Sequence, residues 1–137
     1  MTDPRNRSRS GQSIIEFQLV IVLFLLTIFG TCEICRLLLS YTTLANASRV
    51  AMRYASVHGS SNDSGYIATT TEVETIVRDF TKGSLIDPAQ VTVTTTWPGS
   101  NDPGGPVSVR VSYPYQPFIL LPMQTNLAAS VEGIITY

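Results

Sequence analysis

Residues 14 to 39 read IIEFQLVIVLFLLTIFGTCEICRLLL, and residues 17 to 32 carry no charge at all. A helix that crosses a bilayer needs ~20 predominantly apolar residues, because the hydrocarbon core is ~30 Å thick. The segment meets that length, so the chain is expected to be a tethered protein with a lipid-compatible end and a separate body. Over all 137 residues the chain is 44% hydrophobic and 14% charged, with ten acids against nine bases. That balance excludes a disordered chain and a uniformly basic nucleic-acid binder. The mean conceals a split: residues 40 to 137 hold seven acids and five bases in an otherwise Ser/Thr/Gly/Pro-rich stretch.

Arg5, Arg7 and Arg9 precede the apolar run with only Asp3 opposing them, while just after it Glu33 and Arg36 cancel. The positive-inside rule then keeps the N-terminus in the cytoplasm and exports the C-terminal body. A conventional cleaved secretory signal fits poorly. The run exceeds the ~7 to 15 apolar residues of a signal-peptide core, and no A-x-A-like site follows it. A plain membrane anchor leaves Glu16 unexplained. A carboxylate inside a spanning helix costs ~2.5 to 3.5 kcal/mol at the helix centre, less near the interface, and marks a functional site by default. Its bland alternative is a shallow position from which the side chain snorkels to the headgroups.

The stretch Gly11-Gln12-Ser13-Ile14-Ile15-Glu16-Phe17 resembles the class III signal of type IV pilin-like proteins. In that class a prepilin peptidase cuts after the glycine, and glutamate becomes the fifth residue of the mature chain. The resemblance implies cleavage between Gly11 and Gln12. It also implies that Glu16, with Phe17 beside it, serves recognition and assembly by pairing with the N-terminal amine of a neighbouring subunit. A buried carboxylate is tolerable only when it is paired. A glycine at the cut lets an extended backbone approach a protease without a Cβ in the way. Further motifs narrow the likeness. After the apolar helix come Glu33 and Arg36, then Arg49-Val-Ala-Met-Arg53-Tyr-Ala55, and later Tyr113-Pro114. This pattern is similar to the TadE/TadF-like family, pseudopilins of the tight-adherence (Tad, Flp) pilus system. Within it Glu33, Arg36, Arg49 and Arg53 are implied as contacts near the helix exit. Gln12 and Ser13 depart from the small apolar residues usual after the cut.

No proline or glycine interrupts residues 31 to 57, and Gly59 is the first stop signal. A helix from about Gln12 to Val57 would be ~69 Å long, more than twice the hydrocarbon thickness, so half of it must project. Leu37, Tyr41, Leu44, Ser48, Ala51 and Ala55 recur at spacings of four and three, a stripe expected to receive the body. Arg49 and Arg53 would then point outward. The competing use of the stripe is a seam between subunits. Cys32 and Cys35 form a C-x-x-C inside this helix. Zinc wants four ligands and the one histidine, His58, is far away, while redox pairs sit at helix starts. Buried small hydrophobes are the expectation, with an inter-subunit disulfide on the exported side as the lesser alternative.

In the body, residues 59 to 70 read as a loop, and a short helix follows. Thr71 with Glu74 would form its capping box, Val73, Ile76, Val77 and Phe80 its apolar face, Glu74 and Arg78 an i, i+4 pair, and Gly83 its end. Val91, Val93, Thr95 and Trp97 alternate toward one face. After the turn at residues 98 to 105, Val107, Val109, Val111 and Tyr113 share a face on the return. Pro114 and Pro117 should stop that strand, with Leu127, Ala129, Val131, Gly133 and Ile135 alternating in a last one. The Gly-rich turn has no following helix and no Lys-Ser/Thr, so it is not a phosphate cradle. Tyr113, Tyr115 and Phe118 are expected mainly in the core rather than in a binding patch. No catalytic constellation emerges.

The expected fold is α+β, a long transmembrane and projecting helix followed by a short helix and a three-stranded antiparallel sheet packed on it. Residues 1–11 would be a cleaved cytoplasmic leader, 12–58 the helix and 59–137 the exported domain. The function implied is a minor pseudopilin, a structural component of a Tad-type pilus with no enzymatic activity, cofactor or metal. Its implied partners are a prepilin peptidase, other pilin and pseudopilin subunits, the inner-membrane Tad machinery and the lipid bilayer, with no nucleic acid. It would sit in the bacterial inner membrane, single-pass, with its body periplasmic or extracellular. The rival is an unprocessed single-pass membrane protein whose exported domain binds a ligand or partner; a membrane-tethered enzyme is a second rival. Cleavage at Gly11 would change nine bases to six and ten acids to nine, moving the formal charge from -1 to -3.

Overall fold

The structure is a computed structural model that describes residues 5–60, 67–99, 101–118 and 124–136, with the backbone alone at 5–10. Two compact units are present, Met1–Cys35 and Arg36–Tyr137. Helix α1 (Arg5–Val57) makes up the first and continues into the second. From Gly11 onward it is long and apolar enough to cross a membrane, with none of its apolar window buried within the chain. Such a helix, hydrophobic all round and uncovered, suits hydrocarbon rather than water. Its few hydroxyls are satisfied locally. Thr27 donates to the carbonyl of Leu23 at 2.9 Å, and Thr31 donates to that of Thr27 at 2.8 Å.

Two expectations change in this unit. The helix already runs at Arg5, the first described residue, rather than only from near Gln12. The lone Gly11 weakens a helix by only ~0.5–1 kcal/mol and does not stop it. Cys32 and Cys35 are free and exposed instead of buried. They stand in the stretch whose apolar side chains face outward, and no element of their own unit covers them.

The second unit holds the end of α1, then α2 (Thr70–Thr81), a 3-10 turn Pro88–Gln90, and strands β1 (Thr92–Thr96), β2 (Pro106–Tyr115) and β3 (Thr125–Ile134). The strands form an antiparallel sheet in the order β1-β2-β3. Register follows the alternation in sequence: Val93 faces Val111, Val109 faces Val131, and Val111 also faces Ala129. One face of the sheet is apolar and buried, and the other shows Thr92, Thr94, Arg110, Ser130 and Glu132 to solvent, as half-covered antiparallel sheets do. Leu44, Ala47, Ala51, Met52 and Ala55 of α1 join Val73 and Val77 of α2 and the inner valines of the sheet in one buried cluster. The body therefore packs on the second half of α1, and Arg49 and Arg53 remain outside.

Several details differ from the sequence expectation. Tyr41 is exposed, and Ser40, Ala47 and Met52 are buried in its stead; the covered face is rotated toward the smaller side chains, which let the sheet come close. Gly133 shows how close. A Cβ there would collide with the Met52 methyl group. The α2 cap is Thr69 rather than Thr71: its side chain accepts from the Glu72 amide, and Glu72 reaches back to the Thr69 amide. Both Thr69-x-x-Glu72 and Thr71-x-x-Glu74 satisfy the motif. The earlier box adds two helical residues and leaves Glu74 to pair with Arg78 at 2.6 Å, as the spacing predicts. Val73, Val77 and Thr81 form the covered side, while Phe80 is exposed. Gly83, at φ 82°, follows the helix where the left-handed conformation suits glycine.

Strand β2 passes through Pro114 to Tyr115 instead of stopping. Pairing with β1 ends at Ser112, so beyond it only β3 flanks the strand, and an edge accommodates a residue without an N–H. The turn after β1 is anchored to the end of α1. The Ser60 amide donates to the Asn101 carbonyl at 2.7 Å, and the Thr136 amide donates to the Ser56 carbonyl at 2.8 Å. Pro122 lies outside the described residues.

Replacing Thr69 by Ala should cost about 1 kcal/mol of stability, whereas Thr71→Ala should cost much less. Chemical unfolding of the full chain in detergent, followed by near-UV circular dichroism, distinguishes the two caps. In the same assay Ala51→Leu should cost about 1–3 kcal/mol by overpacking the helix face, and Val50→Leu, one residue away on the exposed side, should change stability little.

Candidate functional site

The residues singled out by sequence fall in three places. In the first, Gly11 to Phe17 form two turns of α1. The Gln12 carboxamide donates from Nε2 to Glu16 Oε1 at 3.3 Å, an i, i+4 contact along one face. Glu16 and Phe17 are both exposed, Phe17 at 64%. The carboxylate thus has a polar neighbour from its own chain and a side open to another molecule, within a helix whose surface is otherwise apolar. The Gly11–Gln12 peptide is helical rather than extended. A protease that needs an extended backbone must unwind this turn, and glycine makes Gly11 the cheapest place to do so. A Cβ at Gly11 would meet nothing within 4 Å, so packing within the chain does not require the glycine.

The second place is the start of the second unit. Arg36 is half-buried, and its guanidinium donates from Nε to the Tyr115 hydroxyl at 3.1 Å and from Nη2 to the Gln116 carbonyl at 2.6 Å. The same group lies 4.9 Å from the centre of the Tyr115 ring and 5.8 Å from that of Phe118, within cation–π range. Planar guanidinium suits this combination of forked donation and stacking, which a lysine ammonium does not reproduce. Tyr115 is 3% exposed and Tyr113 half-buried, in line with a core role; Phe118 is 84% exposed, against it. Alternation along β2 turns both tyrosines inward, and the strand ends before Phe118. Beside the arginine lies a cavity of about 320 Å³ whose lining includes Arg36, Ser40, Leu85, Gln90, Tyr113 and Phe118.

In the third place, Arg49 and Arg53 occupy the exposed side of α1, with Arg49 Nη1 donating to Asn46 Oδ1 at 3.5 Å. They sit some 20 to 26 Å along the helix from Arg36 by the 1.5 Å rise, apart from the aromatic cluster. Glu33 is half-buried on the first unit's helix. Among the described residues, no group of three or more His, Cys, Asp or Glu is placed to hold a metal ion.

The segment that carries these motifs is matched by a protein-family model, TadE-like protein, over residues 11–53. This is a TadE-like segment. The match opens at the glycine of the GQSIIEF stretch, spans Glu16, Glu33, Arg36 and Arg49, and closes at Arg53. The sheet and α2 lie beyond it. No match was found among curated proteins or solved structures. Within the TadE-like segment the structure gives Arg36 partners that sequence reasoning missed: Tyr115 and Gln116 lie 79 and 80 positions away. Only the presence of both Arg36 and Tyr113-Pro114 in the family pattern hinted at a connection.

Tyr115→Phe removes an acceptor from a charged donor and should cost about 1.5–3 kcal/mol. Arg36→Lys should cost a similar amount through loss of the forked geometry. Urea unfolding of the full chain in detergent measures both, and the double variant should cost less than the sum if the two groups act on each other.

Proposed function

We propose that this protein is a minor pseudopilin of a Tad-type pilus, a structural and non-enzymatic subunit. It is inserted with its N-terminus in the cytoplasm, cut by a prepilin peptidase between Gly11 and Gln12, and assembled through α1. The observation that carries this proposal is the position of the TadE-like match: it begins at Gly11 and contains a carboxylate, Glu16, exposed on a helix otherwise fit for lipid. Ionised Glu16 is tolerable in a bilayer only with a partner. The Gln12 carboxamide is a neutral one, and the ammonium created by cleavage on a neighbouring subunit is a charged one. Charge-assisted hydrogen bonds are roughly twice as strong as neutral ones, so processing gives the subunit a reason to associate.

The other parts find roles in the same scheme. The exposed apolar side chains of α1 from Ile14 to Phe29 meet lipid before assembly and the helices of other pilin and pseudopilin subunits after it. Arg49 and Arg53, uncovered by the body, are available to acidic surfaces of those neighbours or of the inner-membrane machinery. The exported domain, residues 59–137, rides on α1 and presents the subunit's outer surface.

In cells with an active prepilin peptidase, mass spectrometry of the membrane-derived protein should give a chain starting at Gln12, for the parent and for Glu16→Ala alike. The Glu16→Ala protein should nevertheless fail to support normal pilus assembly. An intact Met1 start would remove the processing step, and normal piliation by the variant would remove the role of the carboxylate.

A further inference from the structure

The outer face of the sheet is not level. Register places Thr92, Ser112 and Ala128 in one row across the three strands, and two of these three side chains are among the shortest available. On one side of that row stands the long Arg110, and on the other Pro114 lies opposite Asn126. Short residues between long ones leave a trough of about 380 Å³, which also reaches Gln90 just before β1. Three strands span about 10 Å from first to last, room for one six-membered ring with its substituents. The fold uses its other buried-side arginines differently: Arg36 and Arg78 spend their donors on partners within the chain. Arg110 is exposed, and among the described residues its guanidinium makes no hydrogen bond or ion pair. No acid among the described residues lines the trough. Its neutral groups can both donate and accept. Thr92 and Asn126 are exposed, Ser112 Oγ donates to the Thr92 carbonyl only at 3.5 Å, and Gln90 gives Nε2 to Asp87 at 3.2 Å, which leaves the amide oxygen as an acceptor. The Ala128 methyl and the Pro114 ring add a small apolar surface.

We propose that this trough is a binding site for a sugar acid, one pyranose unit carrying a single carboxylate. The carboxylate is held by Arg110, whose planar fork matches it bidentately. The ring hydroxyls exchange hydrogen bonds with Asn126, Gln90 and Thr92, and the C–H face of the ring rests on Ala128 and Pro114. Charge decides between the anions a guanidinium can take. A phosphate monoester brings about -1.5 to -2, which one arginine leaves partly unanswered in a stretch, residues 40 to 137, with seven acids against five bases. A carboxylate brings one charge and is matched. A neutral sugar leaves the guanidinium without its best acceptor. The site lies wholly within the second unit, so it depends neither on a membrane span nor on cleavage at Gly11.

The test is a titration of the isotope-labelled full chain, followed by backbone-amide NMR, in a zwitterionic detergent because sugar-headed detergents would compete. The probes are methyl glucuronide, methyl glucoside, acetate and a glucose phosphate. Methyl glucuronide should shift the amides of Arg110, Ser112 and Asn126 in a saturable way, and the other three probes should bind at least tenfold more weakly. Arg110→Gln should weaken the glucuronide about ten- to a hundredfold, the range expected when a hydrogen bond to a charged group is lost. Ala128→Leu, which fills the floor and leaves the charge alone, should also abolish the shifts. Both positions face solvent or lie half-exposed on the outer face, and circular dichroism checks that the sheet is intact. Equal binding of acetate means that Arg110 attracts any anion, and overturns the sugar site. Tighter binding of the glucose phosphate or of the neutral glucoside overturns the assignment of the carboxylate. Absence of saturable shifts at these three amides, or glucuronide binding that survives Arg110→Gln, overturns the proposal altogether.

Discussion

The structure depends on one contact surface, the small-residue face of α1 from Leu44 to Ala55. Three strands and a twelve-residue helix are too little to bury a core by themselves, since domains of this size enclose only a modest share of their surface. Ala47, Ser48, Ala51 and Ala55 provide a wall that a sheet can approach closely, and Leu44 and Met52 fill the space at either end. Gly133 completes the fit by giving up its own side chain to the Met52 methyl group. Remove that face and the inner valines of β1, β2 and β3 have only α2 to cover them.

The same helix thus answers to two solvents. Up to Cys35 its surface is bulky, apolar and outward-facing, which hydrocarbon rewards and water penalises. From Ser40 onward the apolar groups shrink and gather on one side, with arginines on the other. Alanine and serine do little in a bilayer as lipid-facing residues, but they let another element approach. The division of the chain at Cys35 and Arg36 falls about one turn before this switch. It falls inside a continuous helix, at no proline or glycine, so its cause is what the side chains touch rather than how the backbone runs.

Much of this was legible because periodicity reports which face is covered. The strand alternation of Val107, Val109 and Val111 and of Ala129 to Ile135 emerged in the structure as expected, as did the outward arginines of α1. The departures share a cause: local rules were satisfied more than once. Two capping boxes overlapped in Thr69-Thr70-Thr71, and spacing alone does not decide between them. Tyr41 and Ser40 both lie near the covered stripe, and the closeness of the sheet, a tertiary fact, chose the smaller. Pro114 reads as a strand breaker until one knows that β1 has already ended beside it. Cys32 and Cys35 were expected to be buried by residue type, but their surroundings belong to the lipid-facing segment. At the candidate site, Gly11 and Glu16 were visible as a motif. The partners of Arg36 were not, because no spacing rule links residues some 80 positions apart.

That long-range contact gives the two halves of the pattern a physical relation. Arg36 costs free energy wherever an apolar helix approaches a membrane boundary, and a free guanidinium would snorkel toward water. Here the fold spends its donors on Tyr115 and Gln116 and lays its flat face against aromatic rings. The arginine therefore does more than interrupt the apolar run: it is an attachment point for the end of β2. Glu16 presents the opposite case. Its local partner among the described residues, the Gln12 carboxamide, is neutral and distant enough to make only a weak hydrogen bond. A charge answered internally helps to build a domain, and one with only a neutral neighbour is left open to another molecule. The TadE-like segment holds one of each.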